Sequence, residues 1–271
     1  MDLSPMGVKY AIGLPTVGDF GDVRGLVDLA VSAERHGWDG VHLWDHVLYH
    51  EPGWPVTSST VAAAAIAAAT GRIRIILTVV LPRRQVQEVA QDTAAIDALS
   101  GRRLTVLTTI GSMDREYTEF GLDPDMRARG RTLDERLDRL TELWARWGVP
   151  RVPVWCGGRW PHRAGLRRAA RFDGAMPTFD QQRTRNVAVD EFAEATSFVR
   201  TLTAGQPDIA RGNGQPDIAL EGATEAASAA AQIAPYAAAG MTWWIEALGW
   251  WRGDRTAAAS RILQGPPAVT R

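Results

Sequence analysis

Two short stretches carry side chains whose types and spacing suit chemistry on a small molecule. Asp45-His46 sets a carboxylate beside an imidazole that titrates near neutrality, a pair suited to proton transfer or to hydrogen bonds with a heteroaromatic ligand. The same dipeptide serves equally as a capping aspartate and a solvated histidine. In Trp155-Cys156-Gly157-Gly158-Arg159-Trp160-Pro161, two glycines follow a strand-like run and precede a helix-like one, so backbone N–H groups can approach an anion to which Arg159 adds a bidentate contact. A tight turn with a solvated arginine is the alternative. His42, His46 and His50 stand four apart, as metal ligands on a helix would, but His42 lies in an extended run and Pro52-Gly53 interrupts any long helix, so no metal site is expected. Cys156 has no neighbour that would act as its base. Being the only cysteine, it also excludes an internal disulfide and a four-cysteine zinc site.

These residues need elements to position them, and hydropathy periodicity supplies a regular alternation. Apolar, β-branched runs over 8–14, 41–44, 73–80, 104–110, 152–156, 174–176, 216–220 and 242–247 read as strands. Each is followed by a segment with helical spacing; the clearest is Arg131 to Trp147, with Leu133, Leu137, Leu140, Trp144 and Trp147 on one stripe. Eight strand-then-helix units predict an α/β chain folded as a single (β/α)8 TIM barrel across residues 1–271, because right-handed crossovers make the strands parallel and allow the sheet to close. The competing architecture, a doubly wound open sheet, would carry G-x-G-x-x-G after the first strand in a dinucleotide-binding version. Leu14-Pro15-Thr16-Val17-Gly18-Asp19-Phe20-Gly21 does not match it.

In a barrel, active sites form where strands end. That rule selects Trp44, Asp45 and His46 from the second strand, Thr78 from the third, Thr108, Thr109, Gly111 and Ser112 from the fourth, Cys156 to Arg159 from the fifth, and Glu246, Leu248 and Trp250 from the eighth. The chain holds 11 tryptophans; of Trp243-Trp244 only one can face the barrel interior, and one member of the Trp250-Trp251 pair could wall a pocket for a flat ligand. Gly205 to Ala210 recurs as Gly214 to Ala219. Only the second copy runs into Leu220-Glu221-Gly222, so it is assigned to strand seven and the first to a loop.

Composition narrows the partners. With 30 basic and 31 acidic side chains and no basic block, the chain lacks the field needed for nucleic acid or for polybasic membrane attachment. No apolar run approaches the roughly 20 residues of a membrane span, no signal-like leader is evident, and a cytoplasmic location is expected.

Several motifs, in order, resemble the bacterial luciferase-like oxidoreductases: Gly37-Trp38-Asp39-Gly40 through Asp45-His46, Thr70-Gly71-Arg72-Ile73-Arg74, Pro82-Arg83-Arg84, Asp97-Ala98-Leu99-Ser100-Gly101-Arg102-Arg103-Leu104, Leu133-Asp134-Glu135, Trp155 through Pro161, and Ala239-Gly240-Met241-Thr242 through Glu246. The resemblance implies a (β/α)8 enzyme that moves a hydride, or activates oxygen, on a small organic substrate. It implies either flavin mononucleotide (FMN) or the deazaflavin coenzyme F-420, leaning to the deazaflavin because Trp44-Asp45-His46 and a cation set with Lys9 as its sole lysine are similar to actinobacterial members. By this carry-over Asp45, His46 and Thr78 border the ring, Gly111 and Ser112 lie beside its ribityl chain, and Gly157, Gly158 and Arg159 hold the phosphate. His46 then exchanges a proton with substrate, Asp45 sets its tautomer, and Trp44, Glu246 and Trp250 line the substrate pocket. The resemblance is compatible with a homodimer.

Two features depart from the family pattern. Threonines occupy Thr105-Val106-Leu107-Thr108-Thr109 where a glycine-rich strand end is usual, and Trp147-Gly148-Val149-Pro150-Arg151 joins helix four directly to strand five, where members usually carry a long insertion that covers the pocket. Both leave two further readings open: a barrel that has lost redox chemistry and binds a small aromatic ligand or partner, and a cofactor-free hydrolase or lyase built on Asp45, His46 and Glu246.

Overall fold

A computed structural model describes residues 7–204 and 215–267. Its strands are β1 (Lys9–Leu14), β2 (Gly40–Leu43), β3 (Arg74–Val80), β4 (Leu104–Thr109), β5 (Val154–Arg159), β6 (Gly174–Thr178), β7 (Asp217–Gly222) and β8 (Trp243–Ala247). They pair in sequence order, all parallel, and β8 returns to β1, so the barrel is closed as the alternation predicts. The helices are α1 (Val23–Arg35), α2 (Ser59–Ala69), α3 (Val86–Leu99), the short α4 (Arg115–Thr118), α5 (Met126–Arg146), α6 (Arg163–Ala169), α7 (Val189–Thr203), α8 (Ala229–Ala238) and α9 (Arg255–Leu263). Residues 147–153 link α5 to β5 without an inserted subdomain. The second copy of the internal repeat supplies the start of β7, while the first lies outside the described residues.

Local chemistry sets where the helices begin. Asp22, Ser58, Asp125 and Asp254 each accept a hydrogen bond from a first-turn N–H, satisfying donors that the helix itself leaves unpaired. Asp125 therefore starts α5 well before the expected Arg131. At the other end of α5, Trp147 is the C-cap residue and 42% exposed, so it leaves the apolar stripe to which its spacing assigned it.

Strand parity sorts side chains into two cores. Ala11, Ile76, Leu107, Trp155, Met176, Ala219, Trp243 and Ile245 fill the lumen, where Trp155 meets Trp243 edge to face at 5.7 Å. Their neighbours in sequence, such as Ile12, Ile75, Val106, Cys156 and Trp244, point outward against the helices. Trp243 and Trp244 thus face opposite ways, as period-two geometry requires.

Many of the motifs that carry the family resemblance brace the N-terminal face, away from any strand-end site. Glu34 accepts from the backbone N–H groups of Gly71, Arg72 and Ile73, and the guanidinium of Arg103 donates to the carbonyls of Ala67, Thr70, Ile73 and Ser100.

At β5 the structure departs from expectation: the strand runs on through Gly157, Gly158 and Arg159, which pair with Met176, Pro177 and Thr178 of β6. The glycines are spacers within this ladder. A methyl on Gly158 would lie 3.0 Å from Gly165 Cα, and one on Gly165 would lie 2.6 Å from Gly158 Cα and from the Gly157 carbonyl oxygen, so α6 seats on β5 only because both lack side chains. Gly165→Ala is accordingly expected to lower stability by about 1–3 kcal/mol. An exposed helical glycine would instead gain about 1 kcal/mol from the same change. Chemical denaturation decides the sign.

Candidate active site

Upward-running strands bring Asp45 and His46 of the β2 loop next to Arg83 and Arg84 after β3 and Glu116 on α4 after β4. Glu116 is fully buried and accepts at one oxygen, Oε1, from His46 Nδ1 at 3.1 Å and the Val47 N–H at 2.8 Å, with Arg83 Nη1 2.9 Å away. A hydrogen bond from Nδ1–H leaves Nε2 as the basic nitrogen, and Nε2 has no hydrogen bond among the described residues. Burial alone would raise the Glu116 pKa, but the His46 hydrogen bond and charge, the Arg83 charge and the Val47 N–H outweigh it and hold the carboxyl below the ordinary glutamate range.

Asp45 has a different job from the one the sequence suggested. It too is buried, and its carboxylate accepts from the Val80 N–H at 2.8 Å and Ser59 Oγ at 3.3 Å, with Arg83 3.5 Å away. Glu116 and not Asp45 therefore holds the His46 imidazole. The pairing spans 70 residues, and no local motif announces it.

A second histidine–carboxylate pair lies inside the lumen. His42 Nε2 is 2.8 Å from Thr78 Oγ1, and its buried Nδ1, otherwise unpartnered, is 3.4 Å from Glu221 Oε2. By strand parity Gly13, Thr78, Thr109, Gly157, Glu221 and Ala247 share this upper layer. Thr78, Thr109, Gly157 and Glu221 are part-exposed, so the lumen opens at this end. The methyl of Thr109 stands where a side chain on Gly157 would go, 2.8 Å from a built Cβ. Gly111 turns the chain out of β4 with φ +73°, its N–H on Thr109 Oγ1, and Ser112 is exposed beyond it.

Aromatic rings wall the mouth. Trp44 stacks on Trp251 at 5.5 Å and meets Trp250 edge-on at 5.9 Å, while His46 lies 5.7 Å from Trp44 and 5.1 Å from Tyr49. Arg183, from the loop after β6, lies over Trp44, Trp250 and Trp251 and donates to Tyr49 Oη at 2.8 Å. Neither Arg183 nor the rest of that loop was among the sequence candidates.

Two candidates, Glu246 and Cys156, are not brought to this place, and a third, Arg159, ends β5 already engaged. Glu246 has the parity of Trp244 and faces outward between β8 and α9, where Thr224, Trp244 and Arg252 bond its carboxylate and Arg261 lies 3.6 Å away. It does not line the lumen, so Asp45, His46 and Glu246 share no common point and the hydrolase reading loses its geometry. A cavity of about 110 Å³ beside this cluster, lined by Leu248, Arg252 and Arg261 among others, also lies outside the barrel. Arg159 is exposed and pairs with Asp180. Cys156 is outward-facing and buried, and desolvation pushes its thiol up to about 12, which leaves no nucleophilic thiolate. No group of three His, Cys, Asp or Glu side chains placed to hold a metal ion occurs among the described residues.

Comparison with known proteins joins this geometry to a family: residues 6–210 match the family model of the luciferase-like monooxygenases. The chain belongs to that family. An F420-dependent glucose-6-phosphate dehydrogenase from Gordonia bronchialis is 28% identical over 144 residues, which cover 51% of this chain and 43% of that protein. The match thus spans under half of the relative's length. Among solved structures, an F420-dependent secondary alcohol dehydrogenase in complex with an F420–acetone adduct superposes with a TM-score of 0.70 at 16% identity, covering 89% of this chain and 93% of that one. An EDTA monooxygenase from Chelativorans sp. BNC1 gives 0.65 at 17% identity, covering 84% and 68%. These two share the fold. No helix among the described residues is long and apolar enough to cross a membrane.

The Glu116 pairing yields a signed pH test. Because its folded pKa is depressed, the carboxylate contributes stability that is complete above the unfolded glutamate value and lost as pH falls through the folded one. Glu116→Gln leaves Arg83 buried without this carboxylate and should cost about 3–5 kcal/mol near neutrality. The gap from wild type should close as both proteins are acidified below the ordinary glutamate range, read by thermal unfolding at stepped pH.

Proposed function

We propose that this chain is an oxidoreductase of the luciferase-like family that acts on a small organic substrate with a reduced deazaflavin or FMN ring lying at the barrel mouth. The observation that carries the reading is the His46–Glu116 pair: an imidazole fixed through Nδ1 by a buried carboxylate, with Nε2 unbonded at the open end of the barrel. Such a group exchanges a proton with a substrate oxygen or nitrogen without moving, because the buried pair sets its tautomer and orientation.

The residues present fit a flat ring. The upper lumen layer is small at Gly13, Gly157 and Ala247, polar at Thr78, His42 and Glu221, and flanked by indole faces at Trp44 and Trp250. When bound, the ring would supply the hydride or the oxygen-activating chemistry. Thr78 and His42 would meet its edge with hydrogen bonds, and the tryptophans would exclude water from one side. Gly111 and Ser112 would lie beside its ribityl chain. Gly157, Gly158 and Arg159 remain the assigned holders of the phosphate, although the glycines sit inside a strand ladder and Asp180 competes for the arginine. The similarity to the Gordonia bronchialis dehydrogenase supports the deazaflavin over FMN.

That competition also supports a second reading, a luciferase-like barrel that binds an aromatic ligand without redox chemistry. Titrating the purified protein with F420 and with FMN, each oxidised and reduced, separates the two. Micromolar binding of either supports the oxidoreductase, and binding of neither leaves the second reading. For the oxidoreductase, His46→Ala is expected to keep cofactor affinity and to lower kcat by about 10²–10⁴-fold. Wild-type turnover in that variant would remove His46 from the chemistry.

A further inference from the structure

Arg183 sets a cation against the aromatic wall of the mouth. It belongs to the loop between β6 and α7, and although β6 and β2 lie on opposite sides of the eight-stranded barrel, this loop and the one after β2 meet where Arg183 contacts Trp44 and Tyr49. The loop that carries it is pinned beneath: Gln182 accepts from the Phe179 N–H at 2.9 Å and donates to the Glu221 carbonyl at 2.5 Å. The guanidinium carbon sits 5.0, 5.7 and 5.5 Å from the centres of the Trp44, Trp250 and Trp251 rings, and Nη1 donates to Tyr49.

Aromatic faces hold a cation in place but do not neutralise it. No carboxylate among the described residues lies within ion-pair distance of Arg183, whereas Arg83, Arg84 and Arg159 are paired with Glu116, Asp45 and Asp180; Arg185 on the same loop is also without an ion pair, but it has no ring contact at the mouth among the described residues. With one donor spent on Tyr49, an exposed guanidinium keeps an edge of parallel N–H groups for a planar or tetrahedral oxyanion. His46 touches the same two rings, Trp44 and Tyr49. Arg183 and His46 thus share two aromatic neighbours at the mouth.

We infer that the mouth takes a ligand with a carboxylate, sulfonate or phosphate on a flat apolar body, its anion received by Arg183 and its body by the tryptophans. That this ligand is the substrate rests on the oxidoreductase reading; that it binds does not. Binding is measured on the full chain without cofactor, by tryptophan fluorescence and calorimetry, using phenylacetate, benzenesulfonate and phenyl phosphate against phenylacetamide, benzenesulfonamide and phenol.

At least one anion should bind about tenfold or more tightly than its neutral counterpart, as a charge-assisted bidentate contact allows. Arg183→Gln should erase that preference, and Arg183→Lys should keep part of it. Arg185→Gln, an exposed arginine on the same loop, should leave it intact, with circular dichroism confirming the fold of each variant. The inference fails if no anion outbinds its counterpart or if the preference survives Arg183→Gln. Arg183-dependent anion binding in a protein that binds neither F420 nor FMN would sink the oxidoreductase reading and leave this one standing.

Discussion

One guanidinium buried between two carboxylates organises the mouth of this barrel. Arg83 follows β3 and reaches both Asp45 after β2 and Glu116 after β4, donating to the Asp45 carbonyl at 2.7 Å and lying 2.9 Å from Glu116. Three consecutive strand ends are thereby tied at a point almost free of water, where an unpaired charge would cost several kcal/mol. With Arg83 in place, Glu116 stays ionised and can hold His46 in one tautomer. Remove it, and the histidine loses its orientation together with the two loops that flank it. The group nearest the proposed chemistry is thus set by an ion cluster that does not itself face a ligand.

Strand parity makes a second decision. Adjacent side chains on a barrel strand differ by the thickness of the sheet, so Glu221 and Glu246, each near the end of its strand, have unrelated roles. Glu221 faces inward and meets His42 in the open upper lumen. Glu246 faces outward and is consumed by Thr224, Trp244 and Arg252. Proximity to a strand end selects candidates well, but the inward or outward choice requires the register of all eight strands, and a shift of one residue reverses it.

Much of the family resemblance lies in residues that do structural work at the opposite face. The Thr70 to Arg74 motif delivers N–H groups to Glu34, and Arg103 ties together the carbonyls of four residues. At the mouth end, Gly158 and Gly165 let α6 approach β5. These features preserve the barrel whatever chemistry its mouth performs, which is why belonging to the luciferase-like family is compatible with a strand four that ends in threonines and an Arg159 already paired with an aspartate.

Period-two and period-3.6 patterns determined the eight strands, the helices between them and the barrel, because those signals are local and repeat many times along the chain. His46 was legible as well, since an imidazole at a strand end is both rare and chemically distinctive. Glu116 was not, being an unremarkable acid on a single turn of helix far from His46 in sequence; nor was Arg183, one arginine among many on a loop with no motif. Only closure of the barrel, which sets β2 beside β3 and β4 and directly across from β6, brought these three side chains to one rim. Through-space pairing of this kind depends on the positions of whole elements, and no short window of sequence contains it.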